Sequence, residues 1–315
     1  MARSTFEPRT FAVNPDGIIE LFINAKYMPI VAAPYDGDEL RVDYYTSPEY
    51  PYDAHIEDGI VIIECPQDER ASGLGGMFNM FMSSLSGINW QQLTIKVYVP
   101  RSYYGMLNLC TSCASISAHS LELHSRLHAQ TSAAMIDVRG VIATTFMLAT
   151  TSARIYAENA AACGDVDEAG RPVPLDCTIS STNGSVELRS FSTLGALDCR
   201  TTNGLVRLHD VAIQGTLNCA TTNASIHLEN VSVQDCAWIK TSNGSIKPDR
   251  LLARDINMET SNAAIKGTIV GRHTDFTIDM HTSNGKCRPS RSRISTGRTL
   301  TAHTSNGNIG LDFVD

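Results

Sequence analysis

Hydrophobic and polar positions alternate along most of this chain with the period of two that marks half-buried strands. In the C-terminal two-thirds a small polar block, Thr-Ser-Asn-Gly-x-Ile in its fullest form, interrupts the alternation at regular intervals. Taking the third residue of the block as an anchor, the anchors are Cys113, Ala133, Ser152, Asn183, Asn203, Asn223, Asn243, Asn262, Asn284 and Asn306. Their spacings are 20, 19, 31, 20, 20, 20, 19, 22 and 22 residues. A period near 20 held this long predicts a repeat architecture, here a solenoid. The fold expected is all-β: a parallel β-solenoid, single-stranded and β-helix-like, of about ten ~20-residue coils.

The columns of the repeat carry the reason. Three residues after the anchor stand Ile116, Ile136, Ile155, Val186, Val206, Ile226, Ile246, Ile265, Cys287 and Ile309, an inward column that is β-branched in all but one coil. One residue after the anchor nothing exceeds Ala; two residues before it every residue is Thr except Ser181. The Asn-Gly step predicts a corner with φ > 0, and stacked Asn183, Asn203, Asn223, Asn243, Asn262, Asn284 and Asn306 predict a turn ladder bonded along the stack. In the Asn203 coil, Val206 and Leu208 point inward and Arg207 and His209 outward; Val211 begins the next side, and Leu217 and Cys219 return. Stacked in chain order, ten such coils make a rod of about 45–50 Å. The long interval holds an insertion near 158–174, expected as an exposed loop.

Residues 1–107 read as a β-rich opening or capping segment, and 108–315 as the repetitive solenoid. Strands are expected at Ile18–Ile23, Ile30–Ala33, Leu40–Tyr45 and Gly59–Cys65, punctuated by Asp36-Gly37 and Asp58-Gly59. Within the charge-free stretch Ala71–Ile95, Leu74, Met77, Phe78, Phe81, Met82 and Leu85 keep helical spacing. An amphipathic helix or loop is therefore expected at 72–90, as a cap, a membrane or partner contact, or a loose loop.

Composition narrows the classes. Of 315 residues 18% are charged, and 25 Lys+Arg against 33 Asp+Glu give a net charge of −8. That is too apolar for a disordered chain and too acidic for a general nucleic-acid binder. The opening MARSTFEPRTFAVNPDG has no signal-type apolar core and no apolar run is long enough to span a bilayer, so a cytoplasmic protein is expected, with envelope association by an unrecognised route as the alternative. Nine scattered cysteines point to reduced, buried thiols. Cys110 and Cys113 form a lone CxxC, and neither a metal nor a cofactor is expected.

Two surface features carry chemistry. Four residues after the anchor the outward column runs Glu187, Arg207, His227, Lys247; six after it, Arg189, His209, Glu229, Asp249. Mixed signs predict a solvated face with charge pairing between coils. Lys286, Arg288, Arg291, Arg293 and Arg298 form a basic cluster with no acidic residue between positions 280 and 311, leaving −13 for the remainder. It is the candidate site for an anionic polymer or membrane surface; the absence of stacking aromatics beside it disfavours nucleic acid. The chain ends nine residues after Asn306, so the last coil is expected to leave an open edge and a homodimer to form through it.

The TSNGSI-type blocks, with Leu93–Pro100 ending in Val-Pro just before the first of them, resemble the bacterial "putative adhesin" β-strand-repeat family, a domain of unknown function. The resemblance spans about residues 11–315 and implies a β-strand-repeat fold and, by its name, surface adhesion. The function expected is a non-enzymatic adhesin-like scaffold or binding module. The alternative is a carbohydrate-active enzyme, a polysaccharide lyase or hydrolase on a β-helix, for which no catalytic residue stands out.

Overall fold

The computed structural model describes residues 5–65, 88–288 and 297–315. Coils are named below by their anchor residue.

The Asn203 coil shows how one repeat folds. Val206 and Leu208 are fully buried, and Asp210 then turns the chain in a left-handed conformation at φ 54°. Val211 and Ile213 face inward along the second side, and Leu217 and Cys219 along the third. Every inward residue sits on its counterpart in the next coil: Val206 on Ile226, Leu208 on Leu228, Val211 on Val231, Leu217 on Ala237 and Cys219 on Ile239. This parallel register makes one continuous core of aliphatic columns, each buried Val, Leu or Ile contributing about 1.5–3 kcal/mol over leaving it in water.

The buried threonines tie the coils together at the corner. Thr241 Oγ1 donates to the Ala224 carbonyl of the coil before it at 2.9 Å and accepts from its own Gly244 N–H at 3.2 Å. Thr201 makes the same pair of bonds with the Gly184 carbonyl (3.0 Å) and the Gly204 N–H (3.1 Å). Two backbone groups that water cannot reach are thereby satisfied by one hydroxyl. The expected φ > 0 at the Asn-Gly step is not found: none of the corner Asn or Gly residues lies in the left-handed region. Glycine is favoured there by close approach instead, since a Cβ on Gly204 would run into the carbonyl of Gly184. The left-handed corner lies further along, seven residues after the anchor, at Ser120, Gly140, Asn159, Ser190, Asp210, Asn230 and Arg250. These are mostly small polar residues that tolerate the conformation.

At both ends the stacking order departs from chain order. The strand Glu20–Ala25 pairs in parallel with both Ile60–Glu64 and Met106–Thr111. Ile30–Tyr35 likewise pairs with Ile95–Pro100 and Ile116–His119. The first coil of the chain is thus sandwiched between its second and the Cys113 coil. Antiparallel strands continue outward from there: Leu40–Thr46 on Ile95–Pro100, Glu7–Val13 on Leu40–Thr46, and Asp53–Glu57 on Ile60–Glu64. Phe6, Tyr27, Tyr50 and Trp90 pack ring to ring beside them.

The other end mirrors this. The last strands, Thr299–Thr304 and Ile309–Val314, pair with Leu252–Thr260 and Ile265–Val270 on one side. On the other side they pair with Thr277–Thr282 and Cys287–Arg288. The Asn306 coil therefore lies inside, and the expectation that the chain's last coil forms the open edge is corrected. Among the described residues, the outermost strands at this end belong to the Asn284 coil.

Of the expected segment at 72–90, residues 72–87 lie outside the described residues; Trp90–Gln92 is a short 3-10 turn. The insertion starts later than expected, because the strand Ile155–Ala162 runs through its first residues. Beyond Cys163 a small antiparallel pair, Asp165–Val166 with Pro172–Val173, projects from the solenoid.

Candidate functional site

The outward face of the strands Val186–Thr193, Val206–Ile213, Ile226–Lys240 and Ile246–Asp249 carries a groove of about 440 Å³. Arg189, Arg207, His209, His227, Leu228, Glu229, Lys247 and Asp249 line it. The parallel register builds it from two columns. Glu187, Arg207, His227 and Lys247 stack in one; Arg189, His209, Glu229 and Asp249 stack in the other. Within a strand the columns are separated by one inward residue, Leu208, Leu228 or Pro248, so alternation alone puts both on the surface.

The expected cross-coil pairing is found in the second column; in the first it reaches only Glu187, which Arg154 of the preceding coil contacts at 3.4 Å. His209 lies between Asp210 (2.9 Å) and Glu229 (3.4 Å), and Asp249 accepts from Thr268 Oγ1 at 2.9 Å. Arg189 is held by Glu187 at 2.7 Å. Arg207 and Lys247, in contrast, have no ion pair or side-chain hydrogen bond among the described residues. His227 stands between them. Its pKa is pulled below the usual imidazole value, first by burial and then by repulsion from Lys247 and Arg207.

The basic column continues past the groove. Lys266 follows Ile265, which pairs with Ile246, and Gly310 lies beside Lys266 with Arg288 beyond it. Arg288 thus reaches the same stripe as Arg207, His227, Lys247 and Lys266, with Gly310 as a gap. Of the basic cluster singled out in the sequence, Lys286 and Arg288 are exposed on the outermost coil. Arg298 is committed to the fold: its Nη2 donates to the Ala253 carbonyl at 2.8 Å and its guanidinium lies 4.2 Å from the Phe276 ring centroid. Arg291 and Arg293 lie outside the described residues. The structure therefore connects part of that cluster to the groove column rather than to a separate patch.

The Asn column forms one ladder. Asn203 donates to Asn183 (2.7 Å), Asn223 to Asn203 (2.6 Å), Asn243 to Asn223 (2.8 Å) and Asn262 to Asn243 (2.8 Å). Asn306 then donates to Asn262 and Asn284 to Asn306, each at 2.8 Å.

The Toastrack DUF4097 family model matches residues 18–313. The chain belongs to this family. A solved structure described as a "putative cell adhesion protein" from Clostridium sporogenes is 7% identical to this Toastrack chain. The comparison covers 98% of this chain and 100% of that one, with a TM-score of 0.21. No curated protein matches.

Other chemical candidates of the Toastrack chain do not converge. His119 pairs in register with Arg139 on one face, while His128 pairs with Asn108 and Met147 on another; His124 stacks on Tyr104 at 4.5 Å. None of the nine cysteines forms a disulfide. Burial raises the pKa of the Cys110 and Cys113 thiols, and no metal-binding group of His, Cys, Asp or Glu occurs among the described residues. No helix there is long and apolar enough to cross a membrane. The unpaired state of Arg207 and Lys247 escaped sequence reading because alternating signs along a strand suggest partners. The usable signal was the column itself: downstream of Glu187 it holds no acidic residue.

Proposed function

We propose that this protein is a non-enzymatic, adhesin-like binding scaffold that holds an extended polymer along the outer face of its solenoid. The observation carrying this reading is the stripe Arg207–His227–Lys247, in which two cationic side chains flank an imidazole on successive coils without ion-pair partners. Strand spacing puts successive groups about 4.8 Å apart, a fixed ruler for a linear ligand parallel to the axis. Rigidity comes from the Asn and Thr ladders, so the ruler costs little ordering entropy on binding.

A polysaccharide lyase or hydrolase on the same groove is the competing reading. It would have to use Glu229 and Asp249, neighbouring carboxylates on adjacent coils. Glu229 is turned toward His209 and Asp249 toward Thr268, which supports electrostatic framing of the groove. Incubating the whole chain with polysaccharides, and measuring both retention and new chain ends, tests the two. Retention without cleavage is expected; cleavage lost in Glu229→Gln would establish the enzyme instead.

A further inference from the structure

We propose that the groove binds an acidic polysaccharide, with sugar carboxylates on the Arg207–His227–Lys247 column and sugar hydroxyls on the residues flanking it. This rests on the reading of the protein as a polymer-binding scaffold and specifies the class of polymer.

The central column supplies the charge. Arg207 and Lys247 face solvent without carboxylate partners and flank His227 on adjacent coils. Anions laid on the column remove the mutual repulsion of these groups. The flanks determine which anion fits. On one side stand Glu229 and Asp249, which line the groove and repel a densely charged chain but accept hydrogen bonds from hydroxyls. On the other side Ser225 Oγ and Ser245 Oγ, 3.0 Å apart, offer hydroxyls to the same ligand. A central row of two cations around an imidazole, between hydroxyl-accepting margins, suits a polymer with no more than one carboxylate per sugar and many hydroxyls.

The competing polyanions fit less well. A polyphosphate carries its negative charge without hydroxyls, so Glu229 and Asp249 oppose it along the whole groove. A single-stranded nucleic acid needs large aromatic platforms, and no Phe, Tyr or Trp lines the groove. An acidic peptide could not extend the sheet here, because the Val206–Ile213 and Ile226–Lys240 backbones already pair with coils on both sides.

His227 makes binding sensitive to pH. The groups facing it are Arg207 and His209 from the Asn203 coil, Lys247 and Asp249 from the Asn243 coil, and Glu229 on its own strand, with Arg189 further along the groove. In the free protein burial, and then repulsion from Lys247 and Arg207, keep His227 neutral to lower pH than usual. A carboxylate placed on the column favours the imidazolium, so binding takes up a proton and strengthens as pH falls, while sugar carboxylates stay ionised.

The test uses the whole chain in calorimetric titrations against polygalacturonate. Dextran, polyphosphate, poly-glutamate and anionic phospholipid vesicles are the comparison ligands. Wild type should bind polygalacturonate in preference to all four, more tightly at about pH 5.5 than at about pH 8. Arg207→Ser/Lys247→Ser should weaken binding by at least about ten-fold, the loss of one or two charge-assisted contacts. His227→Gln should abolish the gain on acidification. Glu229→Gln/Asp249→Asn should lower the preference for polygalacturonate over polyphosphate. Thermal unfolding of each variant shows that the solenoid is intact. Polygalacturonate binding that survives Arg207→Ser/Lys247→Ser overturns the groove assignment but leaves a binding scaffold standing. Preference for polyphosphate, poly-glutamate or vesicles overturns the polysaccharide class. Binding to no polymer at all removes both readings.

Discussion

Asn306 donates its side-chain amide to Asn262, 44 residues earlier, at 2.8 Å, while Asn284, which lies between them in sequence, is displaced to the far side of Asn306. The final coil has been inserted beneath the one before it. Thr282 confirms the order from another column, donating to the Gly307 carbonyl at 2.8 Å, as Thr304 donates to that of Ala263 at 3.0 Å.

Paired cysteines distinguish this order from simple sequential stacking. Asn257 pairs in register with Thr301, and Thr301 in turn with Asp279. Asn257→Cys/Thr301→Cys places two outward thiols on neighbouring strands about 4.8 Å apart, within the Cα range a disulfide accepts. Asn257→Cys/Asp279→Cys places them two strands apart, beyond the ~7 Å limit. Mild oxidation followed by peptide mapping should find the first crosslink and not the second. The opposite result would restore sequential stacking.

The corner threonine can be tested at Thr241, which is 1% exposed. Thr241→Val keeps the shape but strands the buried Gly244 N–H and removes the bond to the part-buried Ala224 carbonyl. One buried unsatisfied donor and one weakened acceptor should cost about 1–3 kcal/mol, measured by denaturant unfolding. Thr241→Ser keeps the hydroxyl, as Ser181 does naturally in its own coil, and should cost about 1 kcal/mol.

Much of this architecture is legible in the chain. Identical Thr, Asn and β-branched residues at fixed spacing prescribe in-register parallel coils, because only that arrangement stacks like on like. The same uniformity conceals the order at the ends. The Asn262, Asn284 and Asn306 coils present nearly the same corner, so the local pattern does not say which rests on which. Position also escaped at the groove. Arg207 and Lys247 are visible as outward residues, but their lack of partners depends on where Glu229 and Asp249 turn, toward His209 and Thr268. The left-handed column was readable in Ser190, Asp210 and Asn230, small residues at one spacing, and was obscured by Arg250.

Arg250 is the least suited member of that column, with φ 58° and a long exposed side chain. Its equivalents include Asn230, whose side chain donates to Asp210 at 2.9 Å. The left-handed conformation costs a typical L-residue about 1–2 kcal/mol, and Asn relieves part of this by local hydrogen bonding. Arg250→Asn should therefore stabilise the protein by up to about 1 kcal/mol, whereas Arg250→Val, β-branched, should destabilise it. Calorimetric melting of the two variants gives the sign directly, and a lower melting temperature for Arg250→Asn would refute the strain argument.

The interior thiols set an alkaline limit. Cys199 and Cys219 stack on each other between Ile179 and Ile239, and burial raises both pKa values well above that of a free thiol. Below the unfolded thiol pKa of about 8.5 both states keep their protons and the full stability is present. Above it the unfolded chain releases protons that the folded chain retains, so stability falls with rising pH by about 1.4 kcal/mol per unit for each thiol. Cys199→Val/Cys219→Val fills the column with a shape close to its isoleucine neighbours and removes both titrations. Between about pH 8.5 and 10 the wild type should lose roughly 3–4 kcal/mol more than this variant. Alkylation gives an independent check: at neutral pH Cys163, the exposed thiol, should react first, and Cys199 and Cys219 only after unfolding. Equal alkaline slopes for variant and wild type would mean that these thiols do not titrate with unfolding.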